Sequence, residues 1–489
     1  MTPATGPMGS PELSPRRRVL VLAICCMSLF IVGLDSTIVN IALPSIQRDL
    51  HAPVSGLQWT VDAYTLVLAS LLILSGSTGD RAGRRRTFQT GLVVFTLGSL
   101  LCSVAPGLGW LVAFRVLQAV GGSMLNPVAL SIISNTFIDP AERARAIGVW
   151  GSVFGISMTL GPILGGALIA AVGWRGIFWV NVPVGLAAVV AAALFVPESR
   201  ASRARAADPV GQLLVIAVLA SLIYAIIEGP RSGWDSAKIL GFFGLSAAAL
   251  TALLWYEPRR DEPLIDLRFF RSAPFSAATV IAVCAFAALG GFLFLNTLYL
   301  QEVRGYPVLR AGLFMLPMAA MIVVCAPLSG RIVGARGPRL PLAVAGTAIM
   351  ASGFALTRLA TGTSMSWVVG CYLAFGIGVG MVNPAITNTA VSSMPRSQAG
   401  LAAAIASTSR QVGTSLGVAV MGSAVLSALH GPVRADFAEA SHVGWWIVAG
   451  CGAAILLAGI ISTSRWAKAT AERTARLLRP DDKKVPVPR

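Results

Sequence analysis

The sequence predicts an all-α polytopic membrane protein, and three observations predict it. Hydrophobic residues make up 55% of the 489 residues and charged residues only 12%, a balance outside the soluble range over so long a chain. Fourteen apolar runs are long enough to cross a bilayer: 19–46, 57–78, 88–105, 110–137, 144–172, 176–196, 210–229, 238–257, 274–300, 309–333, 340–359, 366–392, 401–429 and 443–464. A span needs roughly 20 apolar residues. With the N-terminus placed in the cytoplasm, 28 of the 38 Lys and Arg residues fall in cytoplasmic segments and 8 in outer ones, as the positive-inside rule requires. Both termini are then cytoplasmic. The net charge of +17 is thereby a matter of topology, and no nucleic-acid partner is needed to explain it.

Taken in order, the runs carry few polar residues, and those few are the site candidates. The first run is far longer than the roughly 7–15 residues of a signal-peptide core, and Asp35 lies deep inside it. A charge at the bilayer centre costs about 2.5–3.5 kcal/mol on insertion scales, so it persists where it faces a cavity or a partner. Near the outer end of the second run, Asp62 and Tyr64 follow Trp59; a cavity carboxylate and a water-facing interfacial residue both fit there. Arg115 in the fourth run is always charged and carries five donors, so it needs a carboxylate, water or carbonyls. Asn296 and Gln301 in the ninth run are cavity candidates, as are Asn126 and Asn383, each directly before a proline. Arg410 and Gln411 interrupt the thirteenth run, where Arg410 could pair with an acid across a pathway or stabilise a helix contact.

Other signals carry less. All seven cysteines fall inside apolar runs, where they act as small hydrophobes, and their spacing implies no disulfide framework or metal site. His51, His430 and His442 fall between runs, on the outer side. No Gly-Lys-Ser/Thr phosphate loop is present, so uphill transport would draw on an ion gradient. Residues 1–15 and 468–489, rich in proline and charge, read as disordered ends.

An internal repeat organises the runs. Gly121-Gly-Ser-Met-Leu-Asn-Pro127 in the fourth returns as Gly378-Val-Gly-Met-Val-Asn-Pro384 in the twelfth, and Gly76, Gly83 and Arg85 return as Gly330, Gly337 and Arg339. The shift of eight runs is even, so both copies keep one orientation, as in the paired halves of a transporter. This divides the chain into a cytoplasmic tail 1–18, a six-helix bundle 19–200, a linker 201–273 with two extra spans, a second bundle 274–465 and a basic tail 466–489. The link 257–274 is basic and amphipathic, as befits either a membrane-surface segment or a solvated loop.

Between the second and third runs stands Gly76-Ser-Thr-Gly-Asp80-Arg81-Ala-Gly83-Arg84-Arg85-Arg86. Gly83 permits a tight turn and Asp80 can accept from Arg donors. This segment resembles the signature loop of the major facilitator superfamily. Leu34-Asp35 through Pro44 resembles the first-helix motif of its 14-span drug/proton antiporters, and Arg115, Gln118, Gly121 and Gly122 resemble the fourth-helix motif. Gly155, Gly161, Pro162, Gly165 and Gly166 resemble the fifth-helix antiporter motif. In the second copy of the loop Gly334 stands where Asp80 would be.

The resemblance implies a major facilitator fold, two six-helix bundles plus two inserted linker helices. It implies a proton-coupled antiporter that exports amphiphilic drugs or antibiotics by alternating access. Proton coupling would fall to Asp35, Arg115 and Asp62, conformational control to the loop of Gly76, Asp80, Arg81, Gly83, Arg84 and Arg85. An Ala-, Gly- and Arg-rich composition with little Lys fits a high-GC bacterium and hence an inner membrane. The expectation is a monomer in the lipid bilayer, working on protons and a small amphiphile, with no cofactor or metal. Two other readings stand beside it: a dedicated carrier of one metabolite, and a membrane-embedded transferase, which would want a His, Asp or Glu cluster at one face that the loops lack.

Overall fold

The computed structural model describes residues 14–200, 208–260, 262–395, 398–429 and 433–478, and among them all regular structure is helical. In chain order the helices are α1 (Pro15–Leu50), α2 (Val54–Ala82), α3 (Arg84–Ser103), α4 (Leu108–Thr136), α5 (Pro140–Val172), α6 (Gly176–Trp179) and α7 (Asn181–Phe195). Then follow α8 (Pro209–Ser232), α9 (Ala237–Tyr256), α10 (Ala273–Leu298), α11 (Val308–Arg336), α12 (Arg339–Leu356), α13 (Met365–Ser392), α14 (Ala399–Ala428), α15 (Val433–Ser462) and α16 (Arg465–Leu477). A π-helical turn, Tyr299–Val303, extends α10, and two 3₁₀ turns, Glu257–Arg259 and Leu267–Arg271, occupy the basic link before it.

Among the described residues, twelve helices are long and apolar enough to cross a membrane, so the protein is a multi-pass membrane protein. Two of the fourteen predicted runs, 88–105 and 144–172, lie on α3 and α5, which are helical but outside that set. The reason for α3 is that it opens on Arg84, Arg85 and Arg86. In α5 only Leu160–Val172 stands out, as a shorter apolar helix.

Two expectations are corrected. Much of the tail expected to be disordered is α16: the Ser464 hydroxyl accepts from the Ala467 N–H at 3.2 Å, and Ala467 and Thr474 are buried one helical face apart from the charged residues. A side-chain N-cap and a seven-residue spacing of buried positions are ordinary helix signals, masked in the sequence by the charge density. His442 lies on α15 rather than in a loop, with its Nε2 at 2.7 Å from the Leu359 carbonyl.

Helices α1–α7 pack as one set and α10–α15 as another. The repeated glycine does the same work in each: a Cβ on Gly121 would collide with the Phe95 backbone, and one on Gly378 with Ile349. Both glycines therefore let a helix pair approach closely. One face of the molecule carries the start of α1, where Arg18 pairs with Glu142 at 2.8 Å and Arg17 donates to the Phe195 carbonyl at 3.1 Å, and α16, where Thr470 accepts from the Ala273 N–H at 3.0 Å. We call it the terminal face, and its opposite the far face. The two sets meet chiefly through α5 with α11, α2 with α14, and α1 with α10, and the bonds that join them lie toward the far face. Gln301 donates to the Ile41 carbonyl at 2.9 Å, and Gly312 fits against Pro162.

A Gly121→Val variant is expected to lower stability by about 1–3 kcal/mol through overpacking between α3 and α4. Thermal unfolding in detergent, followed by size exclusion, checks it against Gly109→Val, a position with nothing within 4 Å.

Candidate functional site

The polar residues of the first helix set converge on one buried cluster. Asp35 and Arg115 are both at most 1% exposed, and the Arg115 Nη1 lies 2.6 Å from the Asp35 Oδ2. The other Asp35 oxygen accepts from the Gln118 Nε2 at 2.9 Å and from the Asn181 Nδ2 at 3.3 Å. Arg115 also donates to the Gln118 Oε1 at 2.8 Å and to the Thr60 carbonyl at 3.2 Å. Its guanidinium carbon sits 4.1 Å from the centroid of the Tyr64 ring, a cation–π contact that substitutes for water over one flat face. Tyr64, fully buried, is thus a wall of this cluster.

Local sequence explains the convergence. Arg115 and Gln118 are three residues apart on α4 and so share a face; Thr60 and Tyr64 are four apart on α2 and share another. Asn181 opens α7 directly after the break at α6 and also donates to the Ser99 hydroxyl at 3.1 Å. Asn181, Thr60 and Ser99 were not legible as site residues, because a carbonyl and two neutral side chains leave no charge signal. A polar residue at the start of an apolar run was the one hint.

Asp62 stands apart from this cluster. Two positions along a helix from both Thr60 and Tyr64 turns it about 200°, away from Arg115 and toward the second set. There its Oδ1 accepts from the Ser415 hydroxyl at 2.9 Å and, weakly, from Thr65 at 3.5 Å, while its Oδ2 has no hydrogen-bond partner among the described residues. Asp62 is fully buried. One carboxylate is therefore saturated within the first set, and the other lies half-satisfied in the seam between sets.

The remaining candidates sort by position. Asp80 pairs with Arg84 at 2.8 Å on the terminal face, and Arg81 donates back to the Ser77 carbonyl at 3.2 Å. Gly83 adopts φ 114°, and a Cβ there would meet Glu198. Glu198, from the segment after α7, accepts from the Arg85 N–H at 3.1 Å and lies 3.7 Å from Arg86. Nothing local in the sequence marks Glu198, whose partner lies 113 residues away. Gly76 faces Pro127. In the antiporter motif, Gly161 and Gly165 bring α5 against Thr37, Ile38 and Ile41 of α1, while Pro162 and Gly166 meet Gly312 and Leu309 of α11. Of Gly155 only its place on α5 is described.

In the second set, Asn296 is turned inward: its Nδ2 donates to the Phe292 carbonyl at 2.9 Å and its Oδ1 accepts from the Tyr372 hydroxyl at 2.6 Å. Arg410 donates to Ser407 at 2.7 Å, Thr387 at 3.2 Å and Asn383 at 3.4 Å, all neutral. The Asn126 Oδ1 is buried with no partner among the described residues.

The family model described as Major Facilitator Superfamily matches residues 25–418. Multidrug resistance protein Stp of Mycobacterium tuberculosis is 37% identical over 408 residues, covering 83% of this chain and 76% of that protein. The tetracenomycin C resistance and export protein of Streptomyces glaucescens is 38% identical over 442 residues, covering 90% and 80%. Among solved structures, a bacterial homologue of the human lysosomal transporter Spinster, in an inward-facing and unoccupied conformation, superposes with a TM-score of 0.63 at 16% identity, covering 95% of this chain and 99% of that one. The fold is shared with that structure.

Removing one member of the buried pair leaves the other uncompensated, which costs about 3–5 kcal/mol. Arg115→Met is expected to lose that much stability, and Arg115→Met with Asp35→Leu to recover most of it. Unfolding of both variants and of Asp35→Leu in detergent decides; a double variant as unstable as the sum of its singles would mean that the two side chains are not coupled.

Proposed function

The chain belongs to the Major Facilitator Superfamily, and from that premise we propose that it is a proton-coupled antiporter exporting amphiphilic drugs or antibiotics across the inner membrane. The names of its relatives, a multidrug resistance protein and an antibiotic resistance and export protein, support export of small molecules and a transporter rather than an enzyme. On this reading α3 and α5 complete fourteen spans, the terminal face is cytoplasmic, and the contacts gathered at the far face describe a state closed to the outside. Two six-helix bundles, with α8 and α9 between them, would rock about the central path, the protein working as a monomer in the bilayer.

One observation carries the mechanism: of the carboxylates Asp35 and Asp62, Asp62 lies in the closing seam with one oxygen unpartnered among the described residues, whereas Asp35 is held by Arg115, Gln118 and Asn181. We assign the exchange of proton and substrate to Asp62, and to the Asp35–Arg115 pair the holding of α2 at the correct angle. Opening the far face would wet Asp62 and let a proton enter from outside. Closing it and opening the terminal face would release that proton inward, and an amphiphilic cation would compete for the same oxygens. Each proton moved down the membrane potential supplies about 2.3 kcal/mol per 100 mV, so one or two protons sustain a useful gradient of drug.

The loop on the terminal face fits a clasp that changes with state. Here the Asp80 carboxylate is engaged by Arg84 of its own bundle, leaving the bundles free to part on that side. The antiporter-motif glycines belong to the opposite closure, since Pro162 and Gly166 fit against α11. A carrier dedicated to one self-made antibiotic remains the second reading, favoured by the tetracenomycin relative; a panel of dyes and antibiotics separates it from broad export.

In reconstituted vesicles with an imposed pH gradient, Asp62→Asn is expected to lose at least tenfold in gradient-driven export. Full gradient-driven export by Asp62→Asn would overturn the assignment, and loss confined to Asp35→Asn would transfer the role to Asp35.

A further inference from the structure

Helix α8, the first of the two helices between the bundles, is fastened to the first set at two heights. The Gln212 Nε2 donates to the Ser70 carbonyl of α2 at 2.6 Å, and the Trp59 indole of α2 donates to the Glu228 Oε1 at 3.0 Å. These bonds lie toward opposite ends of α8, so the helix moves with α2.

Toward the far face α8 also grips the second set. The Ser423 hydroxyl of α14 donates to the Ile226 carbonyl of α8 at 2.7 Å, and accepts from the Gln58 Nε2 of α2 at 3.3 Å. Gln58 donates as well to the Ala419 carbonyl at 3.0 Å and the Val418 carbonyl at 3.3 Å. Gln58 and Ser423 are at most 1% exposed. A separate apolar core, Leu66 of α2 with Ile223 and Ile227 of α8 and Ala419 of α14, seals the same junction. Spacing explains the fit: Gln58 and Asp62 are four apart on α2, and Ser415, Ala419 and Ser423 recur every four residues on α14, so two helix stripes face each other. Helix α9, by contrast, packs mainly on α8 and leaves Leu240, Leu245, Leu250 and Leu254 exposed.

We infer that α8 is a working part of the far-face gate: it rides with α2 and clamps α14 through Ser423, making Gln58 and Ser423 positioning residues that set how readily the seam opens onto Asp62. The inference rests on the antiport reading for its function, but its geometry does not depend on which acid carries the proton. Separating α2 from α14 must break the bonds of Gln58 and, because α8 follows α2, the Ser423 bond to Ile226 in the same step. The inserted pair thus raises the barrier to opening, through α8 alone, with α9 as its cover toward lipid.

The test uses the full chain in nanodiscs, with the native cysteines replaced and spin labels on Arg48→Cys and Ser427→Cys, which flank the seam at the far face. Ser423→Ala is expected to raise the population with the longer label distance at least threefold, and to shift the pH at which that population is half-maximal. Trp59→Phe, which loosens α8 from α2 at the far face while keeping an aromatic ring, does the same and serves if Ser423→Ala folds poorly. Ser246→Ala removes the 3.1 Å bond from α9 to the Val218 carbonyl of α8 and leaves the distances unchanged. Unchanged distances in folded Ser423→Ala and Trp59→Phe, or an equal shift in Ser246→Ala, overturn the inference. Label distances are read without transport, so they stand or fall separately from the Asp62→Asn export assay.

Discussion

The buried pair of Arg115 and Asp35 is the interaction on which the rest of the first helix set depends. Removing two charges from water costs several kcal/mol per ion even after relaxation, and mutual attraction offsets that only with further hydrogen bonds in place. Those bonds come from four helices: Asp35 on α1, the Thr60 carbonyl on α2, Gln118 on α4 and Asn181 on α7. None of them can rotate without stranding a charge. The pair therefore buys orientation rather than net stability, and the orientation it fixes most usefully is that of α2. With Thr60 and Tyr64 committed to Arg115, helical geometry leaves Asp62 and Gln58 no choice but the opposite face, where α14 and α8 lie.

Rigidity on one face of α2 gives meaning to looseness on the other. Apart from the Asp62 carboxylate, which accepts from Ser415, the α2–α14 seam is built from serine hydroxyls, a glutamine amide and small residues; a Cβ on Gly422, for example, would collide with the Gln58 side chain. Individual neutral hydrogen bonds contribute about 0.5–1.5 kcal/mol each, so such a seam can part and reform, whereas an ionic lock of the Asp35 type cannot. The same contrast holds where α5 meets α11, with glycine and proline against backbone. The described hydrogen bonds between the two sets are neutral, except the one that Asp62 accepts from Ser415.

What the sequence disclosed follows from the same physics. Apolar runs and charge asymmetry are long-range averages, so the helical architecture was legible nearly throughout; runs 88–105 and 144–172 are helical as read, though α3 and α5 fall outside the twelve long apolar helices. Asp35 and Arg115 were legible because a charge inside a span is costly, and Gly121 because it recurs in the repeat. The division of labour between Asp35 and Asp62 was not, since it depends on which face of α2 each neighbour occupies, and two carboxylates in two apolar runs look alike. Glu198, Asn181 and Ser423 were hidden for a related reason: each acts through a partner distant in sequence, and nothing local distinguishes it. The helical tail was hidden by its charge, whose periodic gaps at Ala467 and Thr474 matter more than its density.

The two sets are alike in repeat but unlike in what fills their centres. Where the first holds an ion pair, the second holds rings: Phe292 stacks on Phe375 at 3.9 Å and meets Tyr372 at 5.3 Å and Trp445 at 5.7 Å edge-on. The polar link beside these rings, Tyr372 to Asn296, is neutral. Its loop on the terminal face is simplified in the same direction, with Gly334 in place of Asp80 and open space around Gly334 and Gly337. An aromatic core holds its shape at any protonation state, so the second set suits a passive surface against which the first can work. Arg410, inside a span of this set, donates to the neutral side chains of Ser407, Thr387 and Asn383 and sits five residues along α14 from Ser415, the residue that touches Asp62. Asp35 and Asp62 thus lie on one side of the seam, and the other side contributes the Ser415 hydroxyl that donates to Asp62.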